Sequence, residues 1–250
     1  MTGDYHFRNV LFLLFLVSSS KQPIIYMAIA ENIALLRKEI PSQVQLIAVS
    51  KTMPVAALRE AYEAGQRSFG ENKVQEVLMK QPLLPSDIEW HLIGHLQSNK
   101  VKSIVPFVKL IHSVDSLKLL GEINKEAGKI NKVVDCLLQI HIALEETKFG
   151  LSYQEAKVLV NSAEFKTFRH VRLTGLMGMA TFTDDFGRVG QEFMQLAGFF
   201  KELKTTNFAD DVTFRELSMG MSGDFKQAIE AGSTMVRIGS LIFGERNYNQ

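Results

Sequence analysis

The feature that most constrains this chain is a repeat of form. From Leu46 onward, short apolar runs alternate with amphipathic stretches, and no Pro/Ser-rich or low-complexity segment separates them. The runs are LIAVS (46–50), SFG (68–70), WHLIG (90–94), LIHSV (110–114), VDCLLQIHI (134–142), RLTGLMGM (172–179), TFRELSM (213–219) and MVRIG (235–239). Helical periodicity fills the intervals at 55–64, 73–80, 98–105, 116–129, 153–163, 188–203 and 225–231, and another amphipathic stretch at 28–40 precedes the first run. Parallel neighbours need a crossover, and a helix is the usual one, so the order predicts a parallel α/β sheet. Eight runs is the number that closes a (β/α)8 barrel, and 250 residues is an ordinary length for one. The expectation is a single (β/α)8 TIM barrel over 27–250, with a doubly wound open sheet as the alternative. Against the open sheet, the turn after the first run carries Lys51, Thr52 and Pro54 and no glycine-rich dinucleotide loop.

Composition narrows the partners. With 46% hydrophobic and 22% charged residues the chain has the apolar content for a sizeable core. Its 28 Lys and Arg against 27 Asp and Glu leave a net charge of +1, which supplies no field to hold a nucleic-acid backbone or an anionic membrane. The single cysteine, Cys136, cannot form an internal disulfide, which fits a reducing, cytoplasmic setting. Residues 1–26 do not read like the rest. The apolar run VLFLLFLV (10–17) is too short to span a bilayer. Arg8 before it and Ala28-Ile29-Ala30 after it resemble a secretory signal, but cleavage there would cut the 28–40 helix. The favoured reading starts translation at Met27 and treats 1–26 as an upstream extension.

In a barrel the chemistry gathers where the strands end at their carboxyl side. Those ends supply Lys51, Glu71 and Asn72, 95–99, 113–115, 145–148, Thr181, 218–224, and Gly239 with Ser240. Strand alternation puts Lys51 on the face of Ile47 and Val49. A partly desolvated lysine there loses its proton more readily, and the neutral amine attacks aldehydes to form Schiff bases; a rim lysine with its ammonium in water is the plainer alternative. Ser218, Gly220, Ser222 and Gly223 lie between a strand and a helix, where N–H groups and hydroxyls can converge on an anion; capping by Ser222 or Asp224 is the plainer role. Gly239 and Ser240 end the last strand, so the seventh and eighth loops, which often hold phosphate in barrels, both carry suitable residues. Arg237 shares a face with Met235 and Gly239 and needs a partner, either a cofactor ring nitrogen or a strand-end carboxylate. An arginine keeps such a nitrogen an unprotonated acceptor and weakens the ring as an electron sink. His91 and His95 sit four apart without a third ligand nearby, so no metal site is expected. Met177, Met179, Met219 and Met221 read as barrel packing, and Asp184, Asp185, Asp210, Asp211, Lys100, Lys102 and Lys109 as solvated charge.

The strings AVSKTMP, FGENKVQE, WHLIGHLQSNK, IHSVDS, EETKFG, GLMGMA, LSMGMSGDF and STMVRIGSLIFGER resemble, in order and over about 30–246, the signature of the pyridoxal phosphate homeostasis protein family. The resemblance implies a barrel like the amino-terminal domain of alanine racemase (fold type III of pyridoxal enzymes, without its carboxyl-terminal β-domain), with pyridoxal 5′-phosphate (PLP) held as an internal aldimine. It implies that Lys51 is the aldimine lysine, Asn72 lies near the ring, and Ser218 and Ser222 belong to the cofactor-binding set. It also implies Arg237 beside the pyridine nitrogen and Gly239 and Ser240 on the phosphate. The chain departs from the pattern at His141, where an asparagine in a VNI segment is common, and at Ser240, where threonine is commoner. The implied role is vitamin B6 and amino-acid homeostasis without established turnover, with the cofactor passing to PLP-dependent apo-enzymes by transimination or hydrolysis. A PLP-dependent racemase is the alternative, and an aldolase-type barrel is a third. Two-base racemisation draws one base from a second domain, and only eleven residues follow Gly239, so the expectation is a carrier, and a monomer.

Overall fold

The computed structural model describes residues 28–145 and 149–244. The readings of residues 1–26, of 146–148 in the loop after the fifth strand, and of Arg246 lie outside the described residues.

The elements follow one another as helix α1 (Ile29–Glu39), β1 (Gln45–Val49), α2 (Val55–Glu63), β2 (Ser68–Glu71), α3 (Val74–Lys80), β3 (Glu89–Leu92), α4 (Val101–Ile104), β4 (Leu110–Val114), α5 (Leu117–Gly128) and β5 (Val134–Ile140). Then come α6 (Tyr153–Asn161), α7 (Ala163–Thr167), β6 (Val171–Gly178), α8 (Phe186–Thr206), β7 (Glu216–Ser218), α9 (Phe225–Glu230), β8 (Met235–Ile238) and α10 (Ser240–Phe243). The eight strands close in sequence order into a barrel. The seam is parallel, with β1 against β8 from Gln45 opposite Met235 to Ala48 opposite Ile238. The expected TIM barrel is therefore the fold, and the open sheet is excluded.

Strand alternation sorts the apolar side chains into two populations. Leu46, Ala48, Phe69, Trp90, Ile111, Leu138, Val236 and Ile238 point outward and join Leu58, Ile123, Phe193 and Leu196 of the helices in one large core. Leu110, Leu137, Met177 and Met235 point inward and form a small separate cluster in the lumen, with Met179 packed on it. Each such side chain, fully buried, stabilises the fold by about 1.5–3 kcal/mol before the entropy of ordering is set against it. Met219 belongs to the outer core, whereas Met221 is 37% exposed and borders a cavity, so the packing expectation fails at that one methionine.

Three local departures from the sequence pattern have physical causes. Ser162 ends α6 and also accepts a hydrogen bond from the Phe165 N–H, which starts α7 as a separate helix. The 213–219 run shortens to β7 because the Asp211 carboxylate takes both the N–H and the hydroxyl of Thr213 (2.8 and 2.6 Å) and holds the chain in a turn there. The 98–105 stretch splits into a 3-10 turn (Ser98–Lys100) followed by α4.

Candidate functional site

Lys51 leaves the end of β1 and Asn72 the end of β2; both reach a cavity of about 820 Å³ at the carboxyl ends of the strands. Val49, Ile93, Met179, Thr181, Met221, Ser222, Asp224, Arg237, Gly239 and Ser240 line the same cavity, so six of the seven sequence-selected residues meet there. The seventh, Ser218, does not. It is fully buried and receives a hydrogen bond from Arg237 Nη1 (2.6 Å), which puts it behind the arginine and away from the cavity wall.

The backbone is shaped around these residues. A Cβ on Gly94 would stand 2.5 Å from the Asn72 carbonyl oxygen and 2.8 Å from its Cα, so the glycine of WHLIG lets the Asn72 turn pass close to β3. Gly220 has φ +94°, and a Cβ there would lie 2.6 Å from the Ala228 Cβ on α9. The loops after β7 and β8 are joined: Arg237 N–H donates to the Gly220 carbonyl (2.9 Å), and Gly239 N–H donates to Ser222 Oγ (3.3 Å). Ser222 therefore bridges the two loops and does not cap α9. Asp224, at the N-cap position of α9, makes no side-chain cap bond and accepts instead from the Met221 N–H.

The turn that carries Lys51 is clamped from behind. Lys80 Nζ donates to Glu71 Oε1 (2.7 Å), Glu76 Oε2 (3.1 Å) and the Ser50 carbonyl (2.9 Å). Ser50 Oγ donates to the same Glu71 oxygen (2.7 Å), and Glu76 Oε2 also accepts from the Thr52 N–H (2.7 Å). Thr52 itself sits at φ +65°, a conformation rare for a β-branched residue, so the clamp holds the backbone beside Lys51 in a strained state. Burial pushes the Glu71 carboxyl above its usual range against the pull of Lys80. Burial also raises Glu76, but the hydrogen bonds from Thr52 and Lys80 outweigh it and leave that carboxyl below its usual range.

Arg237 is almost fully buried, and among the described residues its guanidinium donates to neutral acceptors, Ser218 Oγ and the Gly178 carbonyl (2.9 Å). Burial lowers the guanidinium to about 10, with the field of Asp224 opposing. Of the other expectations, Thr181 lies on the cavity but is anchored outward, its N–H and hydroxyl both held by the buried Glu192 carboxylate at 2.7 Å. Asp184 and Asp185 are both exposed, as expected of solvated charge; Asp184 also borders the cavity, and Asp185 caps α8 through the Arg188 N–H (3.1 Å). His91 and His95 part company. His91 is buried in the lumen, whereas His95 stacks on Phe149 at 4.6 Å and meets Asp115 at 3.2 Å. His141 Nε2 contacts the Glu145 carbonyl (3.0 Å) and is not part of the cavity lining. Little in the sequence marks Lys80, Glu76 and Glu192; the i,i+4 spacing of Glu76 and Lys80 is the visible signal.

Comparison with known proteins accords with this geometry. The alanine racemase, N-terminal domain family matches residues 24–247. The pyridoxal phosphate homeostasis protein of Pasteurella multocida is 38% identical over 239 residues, covering 90% of this chain and 100% of that protein. Its counterpart in Aquifex aeolicus is 42% identical, covering 82% and 88%. Among solved structures, PipY of Synechococcus elongatus without PLP superposes with a TM-score of 0.81 at 39% identity, over 86% of this chain and 100% of that one. The same protein has also been solved with PLP bound, where the TM-score is 0.78. Alanine racemase of Clostridium difficile shares the fold alone, with a TM-score of 0.70 at 14% identity over 88% of this chain and 60% of its own. By sequence, fold and the order of its strand-end motifs, the chain belongs to the pyridoxal phosphate homeostasis protein family, whose barrel is that of the alanine racemase amino-terminal domain.

Proposed function

We propose that the cavity at the carboxyl ends of the strands holds pyridoxal 5′-phosphate on Lys51, and that the protein stores and passes on this cofactor in vitamin B6 and amino-acid homeostasis. The observation that carries the reading is the convergence of Lys51, Arg237, Ser222, Gly239 and Ser240 on one cavity. When bound, the cofactor supplies an aldehyde that condenses with a primary amine, losing one water, and the reaction reverses on hydrolysis. Each residue then has a task. Lys51 provides the amine from a turn held still by the Glu71–Lys80–Glu76 clamp. Ser222, Ser240 and the backbone around Gly239 would hold the phosphate, in loops already tied to each other. Asn72, on the same cavity, would lie near the ring.

Arg237 bears on which chemistry the ring would support. It can only donate, so a ring nitrogen facing it stays an acceptor, and a ring in that state stabilises a substrate carbanion poorly. The relatives are named homeostasis proteins, which agrees with this reading. Recipients would be PLP-dependent apo-enzymes, and the protein would act in the cytoplasm as a monomer.

The test is borohydride reduction of the PLP-loaded protein followed by peptide mapping. The expected adduct is on Lys51 and disappears in Lys51→Ala. An adduct on another lysine overturns the assignment, and sustained racemisation of added amino acids by the loaded protein would replace the carrier reading with the racemase one.

A further inference from the structure

A line of polar side chains crosses the barrel lumen beneath the cavity. From Arg237 Nη1 it passes to Ser218 Oγ at 2.6 Å, from Ser218 Oγ to His112 Nδ1 at 2.9 Å, and from His112 Nε2 to His91 Nδ1 at 2.9 Å. These residues come from β8, β7, β4 and β3, so the line runs from one wall of the barrel to the other. All four are 4% exposed or less, and the imidazoles meet edge to face at 5.1 Å. The far end is open. His91 Nε2 is buried with no hydrogen-bond partner among the described residues, and His91 borders a second cavity of about 500 Å³ at the opposite, amino-terminal face, beside Glu89 and Lys109.

Hydrogen-bond chemistry gives this line a direction. The guanidinium only donates, so Ser218 Oγ must accept from it. If Ser218 then donates its hydroxyl proton to His112 Nδ1, His112 Nε2–H donates to His91 Nδ1, and each dipole turns its negative end toward the buried cation. In the reverse arrangement His112 Nδ1–H and the guanidinium N–H would both point at Ser218 Oγ, and positive ends would crowd together in a low-dielectric interior. A buried cation whose other side-chain bond among the described residues goes to the neutral Gly178 carbonyl favours the first arrangement. Both rings are neutral in it. Burial pushes His91 down to about 4, and burial together with the fields of His91 and Arg237 holds His112 well below its usual range.

We propose that His91 and His112 are positioning residues for the cofactor: through Ser218 they fix the guanidinium of Arg237 and transmit to it the state of the amino-terminal face of the barrel. This rests on the PLP reading above. His91 is on the lower cavity and absent from the upper cavity's lining, and the line is the hydrogen-bonded connection between it and Arg237 on the upper cavity.

The experiment reads the visible band of the PLP-loaded protein and its pH titration in His91→Leu, His91→Asn and the unaltered chain. His91→Leu should move the titration midpoint by about half a unit, a roughly threefold change in proton affinity. His91→Asn, whose amide can accept from His112 and donate onward, should restore it. A wild-type band with both variants unchanged overturns the relay alone. Equal shifts in both variants that track their loss of thermal stability overturn it too. No band in the wild type overturns the PLP reading and the relay together. A second measurement needs no variant: ¹⁵N spectra of the histidine-labelled protein at neutral pH should show both rings as the neutral Nε2–H tautomer, with the His91 resonances moving on addition of PLP. An Nδ1–H tautomer at His112, or His91 resonances indifferent to PLP, would overturn the proposal.

Discussion

The two ends of the barrel handle charge in opposite ways. At the amino-terminal face, acids and bases pair where solvent shares them: Lys109 with Glu89 at 3.2 Å and Arg172 with Asp135 at 2.7 Å between neighbouring strands, and Arg215 with the adjacent Glu216 at 3.1 Å. At the carboxyl-terminal face, the charges that matter are out of water. Lys80 and Glu71 form an ion pair with side chains 8% and 0% exposed, and Arg237 is held by neutral acceptors. Exposed pairs are nearly neutral in energy, whereas buried ones are costly to break, since the survivor is left charged in a poor solvent. The difference separates an end built to be tolerant from one built to hold an amine and a guanidinium in fixed positions.

The largest test of that contrast is Lys80→Met. It leaves the Glu71 carboxyl buried beside Ser50, and unfolding in urea should show a loss of about 3–5 kcal/mol. Adding Glu71→Gln should recover much of it, because the amide carries no charge to strand. The Lys80→Met protein should also form the PLP adduct more slowly, since the strained Thr52 turn beside Lys51 loses its brace. A cost below about 1 kcal/mol would mean the clamp behaves like a surface pair and the contrast is false.

Acid supplies the next test, directed at the histidines between the two ends. In the unfolded chain an imidazole takes its proton near pH 6.5, whereas His91 in the folded lumen resists protonation down to about 4. The unfolded state therefore binds more protons across that window. Stability is complete above pH 6.5 and falls toward pH 4 at about 1.4 kcal/mol per unit, roughly 3 kcal/mol in total for this one ring. His112, shifted in the same direction, adds to the slope. Urea unfolding at pH 7, 6 and 5 stays clear of most carboxylate titration, and His91→Asn should flatten the curve there. An unchanged slope in that variant would show that the ring carries no such penalty.

Much of this was legible in the sequence, for a physical reason. Strands of a parallel barrel are buried on both faces, so they stand out as apolar runs, and the topology then carries Lys51, Asn72, Ser222, Arg237, Gly239 and Ser240 to one mouth without further information. What escaped depends on which strands face each other across the lumen. Ser218 and Ser222 look alike in LSMGMSGDF, yet one faces the lumen behind Arg237 and the other the cavity. His91 and His112 are 21 residues apart on neighbouring strands, and nothing local in WHLIG or LIHSV says that their rings touch. Lys80 shows its helical partner Glu76 by spacing, but its stronger contact, Glu71, is on a strand nine residues earlier.

The smallest expected effect is the most demanding check, because it requires a well-formed ion pair to matter little. Arg172 and Asp135 make two bonds, Nε to Oδ1 at 2.7 Å and Nη2 to Oδ2 at 3.0 Å, and their strands are in register at this position. Good bidentate geometry argues for the upper end of what an exposed pair contributes, and side chains 46% and 24% exposed argue that water recovers most of what is lost. Arg172→Met should cost about 0.5–1 kcal/mol in urea unfolding. A double-mutant cycle with Asp135→Asn should assign most of that to the pair itself, with little from packing of the arginine stem. PLP affinity should stay within about twofold, because the pair lines the lower cavity but is not part of the line from His91 to Arg237. A coupling energy of several kcal/mol would mean the lower face is as rigidly built as the mouth. A large loss of PLP affinity would place Arg172 on the path between the two cavities and move the origin of the relay from His91 to the charged ring of the floor.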